Sequence, residues 1–345
     1  MKKQVNILRI IALCIGIGIF LYTIHNFGGV EVVLKNLAHV GFGYAFVIAN
    51  SFLWMIFYTA AWQRILHGLN ETMRYFALLK VKLSGEGVNF MTPLGFMAGD
   101  PVRILMLKRY VGPTARLHSV VVDRMLHTLS AQVMNLIGAG LIFTQDIDFP
   151  VWLHYGLLAL YSILILAFIS ILVSMLYGHG FGLFEHLFKL INLERRFPKA
   201  NHKLVELREH FEYYRGHSKW PILQAFLYHF SGRILGAVEI MIIFYCFEGE
   251  FKFVFSIILA TLTSFFTIAF GFIPGALGVV EALYARFAIL YGYSPEMGLT
   301  IQIVRRLRVI FWILIGILVL DFSEIVQFFK KLRKNYEKIT KKLGK

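Results

Sequence analysis

The segment FMTPLGFMAGDPVR at residues 90–103 recurs in altered form as GFIPGALGVVEALY at residues 271–284. At an offset of 181 residues, a proline, an acid and an arginine coincide in the two copies: Pro93 with Pro274, Asp100 with Glu281, and Arg124 with Arg305. A helix in lipid tolerates these residue types least, so their repetition indicates one working site that is built by two related halves. A chance alignment is the alternative.

The composition indicates a membrane protein. Of the 345 residues, 58% are hydrophobic, and the mean hydropathy is +0.66. Such a chain has far more apolar material than a soluble core of this size needs. Six apolar runs approach the ~20 residues with which a helix crosses a bilayer: 10–27, 42–62, 117–143, 154–177, 221–247 and 300–320. We therefore predict an all-α polytopic membrane protein with about six full transmembrane helices.

Two further apolar stretches, at 76–99 and 253–292, are interrupted near their middle by proline and glycine. The interrupting residues are Pro93, Gly95 and Gly99 in the first stretch, and Pro274, Gly275 and Gly278 in the second. Irregular backbone at membrane depth is tolerated where protein or a wet cavity satisfies its polar groups. We therefore predict two re-entrant helical hairpins with these residues at their tips. A pair of kinked ordinary helices is the alternative.

The loop charges orient the chain. The formal net charge is +15, and eight Lys or Arg residues lie at 178–220 and another eight at 328–345. The loops at 144–153 and 248–252 instead hold acidic residues. The positive-inside rule places the basic segments and both termini in the cytoplasm. The basic residues flank membrane segments, which disfavours a nucleic-acid partner.

The number of spans in each half of the chain predicts an inverted repeat. The predicted first repeat covers residues 1–145 and the second covers 146–327, before the basic cytoplasmic tail at 328–345. Each repeat has three spans and one hairpin, and because three is odd the second repeat enters the membrane from the opposite side. The two hairpins would then meet near the midplane, where transporters commonly bind substrate. The connection at 178–220 is predicted to lie on the cytoplasmic leaflet as an amphipathic insertion.

Four motifs carry a family resemblance. They are GVNFMTPLGFMAGDPVRILMLKR at 87–109, SVVVDRMLHTLS at 119–130, FFTIAFGFIPGALGVVEA at 265–282 and IVRRLRVIFW at 303–312. In this order they resemble the transmembrane, flippase-like domain of lysylphosphatidylglycerol synthases, over about 10–325. The resemblance implies lipid translocation and, because the family includes many stand-alone prokaryotic proteins, a location in a prokaryotic plasma membrane. Long members of that family continue into a cytosolic aminoacyl-transferase domain, whereas this chain has only the short basic tail, so the expectation is a transporter that is not an enzyme.

Charged residues near the two hairpins are the candidate substrate-binding set: Asp100, Arg103, Asp123, Arg124, His127, Glu281, Arg305 and Arg306. Buried guanidinium groups suit phosphate, because their planar fork makes bidentate, charge-assisted hydrogen bonds. Asp100 and Glu281 would pair with the arginines while the site is empty.

Some of these residues also have a purely structural interpretation. Arg103, Arg116 and Arg308 are also explained as snorkelling or interfacial anchors, and this is the interpretation that the sequence favours for them. For Asp123 and His127, a local ion pair and a proton relay are equally compatible with the spacing.

The function that these features predict is a flippase-like transporter that moves a phospholipid or other polar lipid between leaflets by alternating access. The alternative is a membrane-embedded transferase, or its accessory subunit, in aminoacyl-phospholipid or glycolipid synthesis. The sequence has no P-loop, no zinc-site pattern and no Gly-x-Ser-x-Gly motif, so we expect no catalytic residues, metal or cofactor. The expected partners are the bilayer and its polar lipids, with a separate lipid-modifying enzyme as a candidate.

The predicted topology can be tested with single cysteines in a chain whose native Cys14 and Cys246 are replaced. A membrane-impermeant maleimide should label Asp148→Cys from the outside and Lys199→Cys from the cytoplasmic side, because the first lies in an acidic loop and the second in a basic one. Labelling of both positions from the same side would contradict the inverted repeat.

Overall fold

The computed structural model describes residues 17–26, 29–91, 99–145, 219–270 and 273–320, with a few positions between 155 and 166. Regular structure within these ranges is helical, which confirms the predicted all-α class. The helices of the first part are α1 Ile17–Asn26, α2 Gly29–Val40, α3 Gly43–Gly68, α4 Tyr75–Met91, α5 Gly99–Met106 and α6 Pro113–Ile142. Those of the second part are α7 Lys219–Glu248, α8 Phe253–Ala269, α9 Val279–Leu290 and α10 Pro295–Leu318.

Several predicted features lie outside the described residues. They are the tip residues Pro93 and Gly95, most of the span at 154–177 and of the insertion at 178–220, and the tail at 328–345.

Three helices in the described part of the chain are long and apolar enough to cross a membrane: α3, α6 and α7. The bent pair of α1 and α2, whose axes meet at 81°, makes a fourth if it counts as one span. The prediction of six full spans is therefore not confirmed. Helix α10 has 24 residues, but it contains Arg305, Arg306 and Arg308 and is not among the helices that are apolar enough to cross a membrane.

Prolines begin both of the long helices that follow the interrupted stretches. Pro113 is the first residue of α6, and Pro295 is the first residue of α10. Proline suits this position because its fixed φ is already helical and its missing N–H would have no helical partner. Ser294 caps α10, since its hydroxyl accepts a hydrogen bond from the backbone N–H of Met297 at 3.3 Å.

Both interrupted stretches double back on themselves. In the first, the backbone N–H of Gly99 donates to Asn89 Oδ1 at 2.6 Å, and Gly99 lies directly against the backbone of Gly85, so α5 runs back along α4. In the second, the hydroxyls of Thr263 and Tyr284 are 2.8 Å apart, which brings α9 back along α8. The two helical arms of each stretch thus lie side by side, and we call each pair of arms a hairpin; that the hairpins are re-entrant stays a prediction.

Glycine makes the second hairpin tip possible. The chain between α8 and α9 contains a short 3₁₀ turn at Pro274–Ala276, within which Gly275 has φ +61°. Gly278, at the N-terminus of α9, has φ +80°. Residues with a side chain rarely adopt such left-handed angles, so glycine at these two positions allows the chain to reverse within a few residues.

The first arm of each hairpin packs against the other part of the chain. Helices α3 and α7 pack along each other, α4 packs on α10, and α8 packs on α6. Each hairpin thus contacts the long helix that ends the other part. Glycine permits close approach at both crossings: Gly316 of α10 meets Gly87 of α4, and Gly138 of α6 meets Thr261 of α8.

The contact between α4 and α10 generates a stability prediction. A methyl group on Gly316 would lie 2.7 Å from Cα of Gly87 and 2.8 Å from the carbonyl oxygen of Leu83, and backbone atoms cannot move aside cheaply. Gly316→Ala should therefore lower the free energy of unfolding by about 1–3 kcal/mol, measured by thermal unfolding in detergent. In the control Gly236→Ala, the new methyl group has open space, and stability should stay equal or rise. Equal effects of the two substitutions would contradict the close crossing.

Candidate functional site

A cavity of about 330 Å³ lies among α3, α4, α6, α7, α8 and α10. Its volume is in the range of small-molecule sites. Of the described residues, the ionisable ones that line it are Tyr58, Glu86, Arg124, His127, Arg233, Arg305 and Arg308. The aromatic rings of Trp54 and Trp312 also line the cavity. Both parts of the chain therefore contribute arginines to one shared cavity.

On the first-part side, two acids hold two arginines. Arg124 Nη2 lies 2.6 Å from Asp100 Oδ1, and Arg103 Nη1 lies 3.0 Å from the same oxygen. Arg103 also donates to Glu86 and lies over the ring of Trp62. This pairing follows from the hairpin, because α5 turns back and lays Asp100 and Arg103 between α4 and α6. The expectation that Asp100 pairs with arginine named no particular partner, and the structure gives Arg103 and Arg124.

The interpretation of Arg103 and Arg308 as interfacial anchors was wrong. Arg103 is 1% exposed and Arg308 is 7% exposed, and each is paired with a carboxylate inside the protein. Snorkelling requires a path from the helix to the membrane surface, and these side chains are instead enclosed by neighbouring helices.

On the second-part side, Glu281 pairs with Arg306 rather than with Arg305. Glu281 Oε1 accepts a hydrogen bond from Arg306 Nε at 2.8 Å, and its other oxygen accepts one from the backbone N–H of Gly278 at 2.7 Å. Arg306 also donates to the carbonyl oxygen of Gly275 at 2.9 Å, so the pair fixes the hairpin tip. The offset of 181 residues matched Arg124 with Arg305, but the arginine that pairs with Glu281, as Arg124 pairs with Asp100, is Arg306.

Arg305 and Arg308 share Glu239, an acid whose role the sequence left open. Glu239 on α7 is fully buried, and its Oε1 lies 3.1 Å from Arg308 Nε and 3.5 Å from Arg305 Nε. Arg305 also donates to the hydroxyl of Tyr284, and the guanidinium of Arg308 lies 4.6 Å from the ring centre of Trp54. An acid in the interior of a largely apolar helix is the sequence signal that would have indicated this role.

Arg233 and Glu239 lie six residues apart on α7 and have separate partners. Arg233 Nη2 donates to the backbone carbonyl of His127 at 3.1 Å, and its Nε is buried without a hydrogen bond. The contact of Arg233 on α7 is thus with a backbone group of α6, while Glu239 binds the arginines of α10.

A second buried cluster joins α4, α6 and α7 behind the cavity. Lys82 Nζ lies 2.6 Å from Asp123 Oδ2, and His229 Nε2 lies 3.2 Å from Asp123 Oδ1. The ring of His127 stacks edge-on against His229, with 5.3 Å between ring centres, and against Tyr58. Of the two alternatives for Asp123, a local ion pair with His127 is thus replaced by contacts with Lys82 and His229, which the sequence did not indicate.

The candidate site residues lie in two neighbouring clusters. Arg124 and Arg305 line the cavity, and Asp100, Arg103, Glu281 and Arg306 support the surrounding hairpins. Asp123 lies in the adjoining Lys82 cluster, which reaches the cavity through His127. Among the described residues, no group of three or more His, Cys, Asp or Glu side chains is arranged to hold a metal ion.

Comparison with known proteins assigns the family. The family described as the lysylphosphatidylglycerol synthase TM region matches residues 9–317 of this chain. The chain belongs to that family. A UPF0104 membrane protein of Methanothermobacter thermautotrophicus is 25% identical over 284 residues, which cover 77% of this chain and 80% of that protein. No solved structure matches the chain. The family match confirms the resemblance that the four motifs indicated, and it includes every charged residue of the cavity.

The buried pair of Lys82 and Asp123 generates a second stability prediction. Both side chains are 2% exposed, so removing one charge leaves the other uncompensated. Lys82→Met and Asp123→Asn should each lower the free energy of unfolding by about 3–5 kcal/mol, whereas Lys82→Met combined with Asp123→Leu should recover most of the loss. Thermal unfolding in detergent measures this.

The matched control is Lys252→Met. Lys252 pairs with Glu250 at 2.6 Å, but both side chains are exposed, and solvent screens the pair. No measurable change in the unfolding midpoint is expected. A double variant of the buried pair that is no more stable than either single variant would contradict the proposed pairing.

Proposed function

We propose that this protein is a flippase-type transporter that moves a phosphate-bearing polar lipid between the two leaflets of a prokaryotic plasma membrane. The observation that supports this most is the cavity lined by Arg124 of one part of the chain and by Arg233, Arg305 and Arg308 of the other. A site for moving a lipid head group through the membrane must replace the water that the head group leaves behind. Arginine does this for phosphate because its fork makes two parallel hydrogen bonds.

The packing of the first arm of each hairpin against the other half of the chain supports an alternating-access mechanism. We propose that the chain is an inverted repeat with six spans, in which the hairpins α4–α5 and α8–α9 enter the membrane from opposite faces and both termini are cytoplasmic. Reciprocal packing of α4 on α10 and of α8 on α6 is the arrangement expected when two such halves are related by a two-fold axis in the membrane plane. Rocking of the halves about the α3–α7 contact would open the cavity to each leaflet in turn.

Two ion pairs give each half its own rigid unit in this mechanism. Asp100 and Arg124 join α5 to α6, and Glu281 and Arg306 join α9 to α10. Each pair connects the returning arm of a hairpin to the long helix that follows it. Each hairpin would therefore move together with its own long helix, while the contacts between halves change.

A membrane-embedded transferase, or its accessory subunit, is the second candidate, and the Lys82–Asp123–His229 cluster is the observation that favours it. Buried acid and base groups beside a cavity are the groups that a transferase uses for proton transfer. A chemically modified lipid product, identified by mass spectrometry after incubation with the purified protein, would support this alternative. Leaflet exchange of unmodified lipid supports transport.

Transport depends in this proposal on arginines that can be removed one at a time. Arg124→Ala leaves Asp100 paired with Arg103, and Arg305→Ala leaves Glu239 paired with Arg308, so neither variant strands a buried acid. Each should therefore fold but exchange lipid at least about tenfold more slowly, because a charge-assisted hydrogen bond to phosphate is lost.

The measurement is exchange of fluorescent phospholipid between the leaflets of liposomes that contain the purified full chain, with size-exclusion profiles as the check on folding. Exchange at the unaltered rate in a folded double variant Arg124→Ala with Arg305→Ala would contradict the role of these arginines. Absence of exchange by the unaltered protein for every lipid tested would contradict the proposed function itself.

A further inference from the structure

The charged side chains around the cavity have a net positive charge, and this excess lies on one side of the cavity. On the first-part side, Arg103 and Arg124 face the two acids Glu86 and Asp100, so this side is neutral. Glu86 lines the cavity, but its carboxylate is already engaged by Arg103 and by the side-chain amide of Asn89. This acid is thus not free to receive a cationic group of a ligand.

The second-part side carries the excess positive charge. Glu239 is one carboxylate against two guanidinium groups, those of Arg305 and Arg308. Arg233 contacts a backbone carbonyl, and among the described residues no carboxylate lies within ion-pair distance of it. Two positive charges of this wall are therefore uncompensated within the part of the chain that the structure describes, and all three arginines line the cavity.

Uncompensated charges in a low-dielectric site are costly until an opposite charge arrives. The Nε atoms of Arg233 and Arg305 are buried and make no hydrogen bond, so the pairing of these two guanidinium groups is incomplete. A ligand with net negative charge would compensate the charge of this wall. A ligand with an ammonium group would place a further cation beside arginines, and among the described lining residues it would meet no carboxylate that is free to bind it.

We propose that the cavity selects lipids whose head group is a phosphate ester of net negative charge and rejects head groups that carry added ammonium groups. This inference rests on the proposed transport function and specifies its substrate class. A lysylated phosphatidylglycerol, with one phosphate and two ammonium groups, is net cationic and is the head group that this wall fits least. The selectivity thus differs from the one that the family's description suggests. Electrostatic rejection of the wrong partner is a general source of such specificity.

The test compares three lipids of one acyl composition in liposomes that contain the full chain: phosphatidylglycerol, phosphatidylethanolamine and lysylphosphatidylglycerol. Leaflet exchange of an acyl-labelled probe of each lipid is measured. Exchange should be fastest for phosphatidylglycerol, at least about tenfold slower for phosphatidylethanolamine and slowest for the lysylated lipid. Equal rates for all three, or a preference for the lysylated lipid, would overturn the charge selection while leaving transport established.

A binding experiment keeps the inference testable if no lipid exchanges. The same lipids are added to the protein in detergent, and the thermal unfolding midpoint is measured. Phosphatidylglycerol should raise the midpoint most, since a ligand that binds the folded state stabilises it. Inorganic phosphate at the same concentration should have little effect. An equal effect of inorganic phosphate would assign the cavity to a free anion and would overturn the lipid assignment.

Arg233→Gln locates the effect in this wall. It removes one of the two uncompensated charges, and it should reduce the preference for phosphatidylglycerol over phosphatidylethanolamine by about tenfold. The control Arg64→Gln removes the same charge from α3 at a position outside the cavity lining, and the preference should be unchanged. Equal loss of preference in both variants would indicate an effect of overall protein charge and would overturn the assignment to the cavity wall.

Discussion

Charged side chains that lie among apolar helices must be paired, because an isolated charge in such surroundings is strongly destabilising. This requirement connects the hairpins to the rest of the protein. Arg103 joins the returning arm α5 to Glu86 of α4, and Asp100 joins it to Arg124 of α6. Glu281 and Arg306 do the same for α9 and α10. Without these pairs, the broken helices would have neither a fixed position nor compensated charge.

The arginines where α7 meets α10 outnumber the carboxylates that pair with them, and this excess makes the cavity wall positively charged. Glu239 is shared by two arginines, and Arg233 contacts only a carbonyl group among the described residues. A fully neutral cavity would be more stable when empty, yet it would have little to offer an anionic head group. The surrounding glycine crossings and the buried Lys82–Asp123 pair supply stability elsewhere, so the fold can tolerate an underpaired wall.

Much of the local structure could be predicted from the sequence. The helix breaks near Gly99 and Gly275 follow from local proline and glycine, and the apolar runs at 117–143 and 300–320 largely coincide with α6 and α10. Prediction failed where a contact joins distant residues. The partners of Asp123 are 41 residues before it and 106 residues after it, and no spacing rule along one helix indicates either of them.

The sequence alone determined that this is an all-helical membrane protein of a known family, with two glycine- and proline-rich breaks and acids and arginines near each. Those properties depend on composition and on neighbours in the chain. The tertiary structure decided which charges meet, because the rotation of each helix about its axis depends on how its neighbours pack. It paired Glu281 with Arg306 rather than with Arg305, and it turned Arg308 inward to Glu239. The net charge of the cavity is therefore a property of helix packing, since the same arginines at the membrane surface would be solvated and would select nothing.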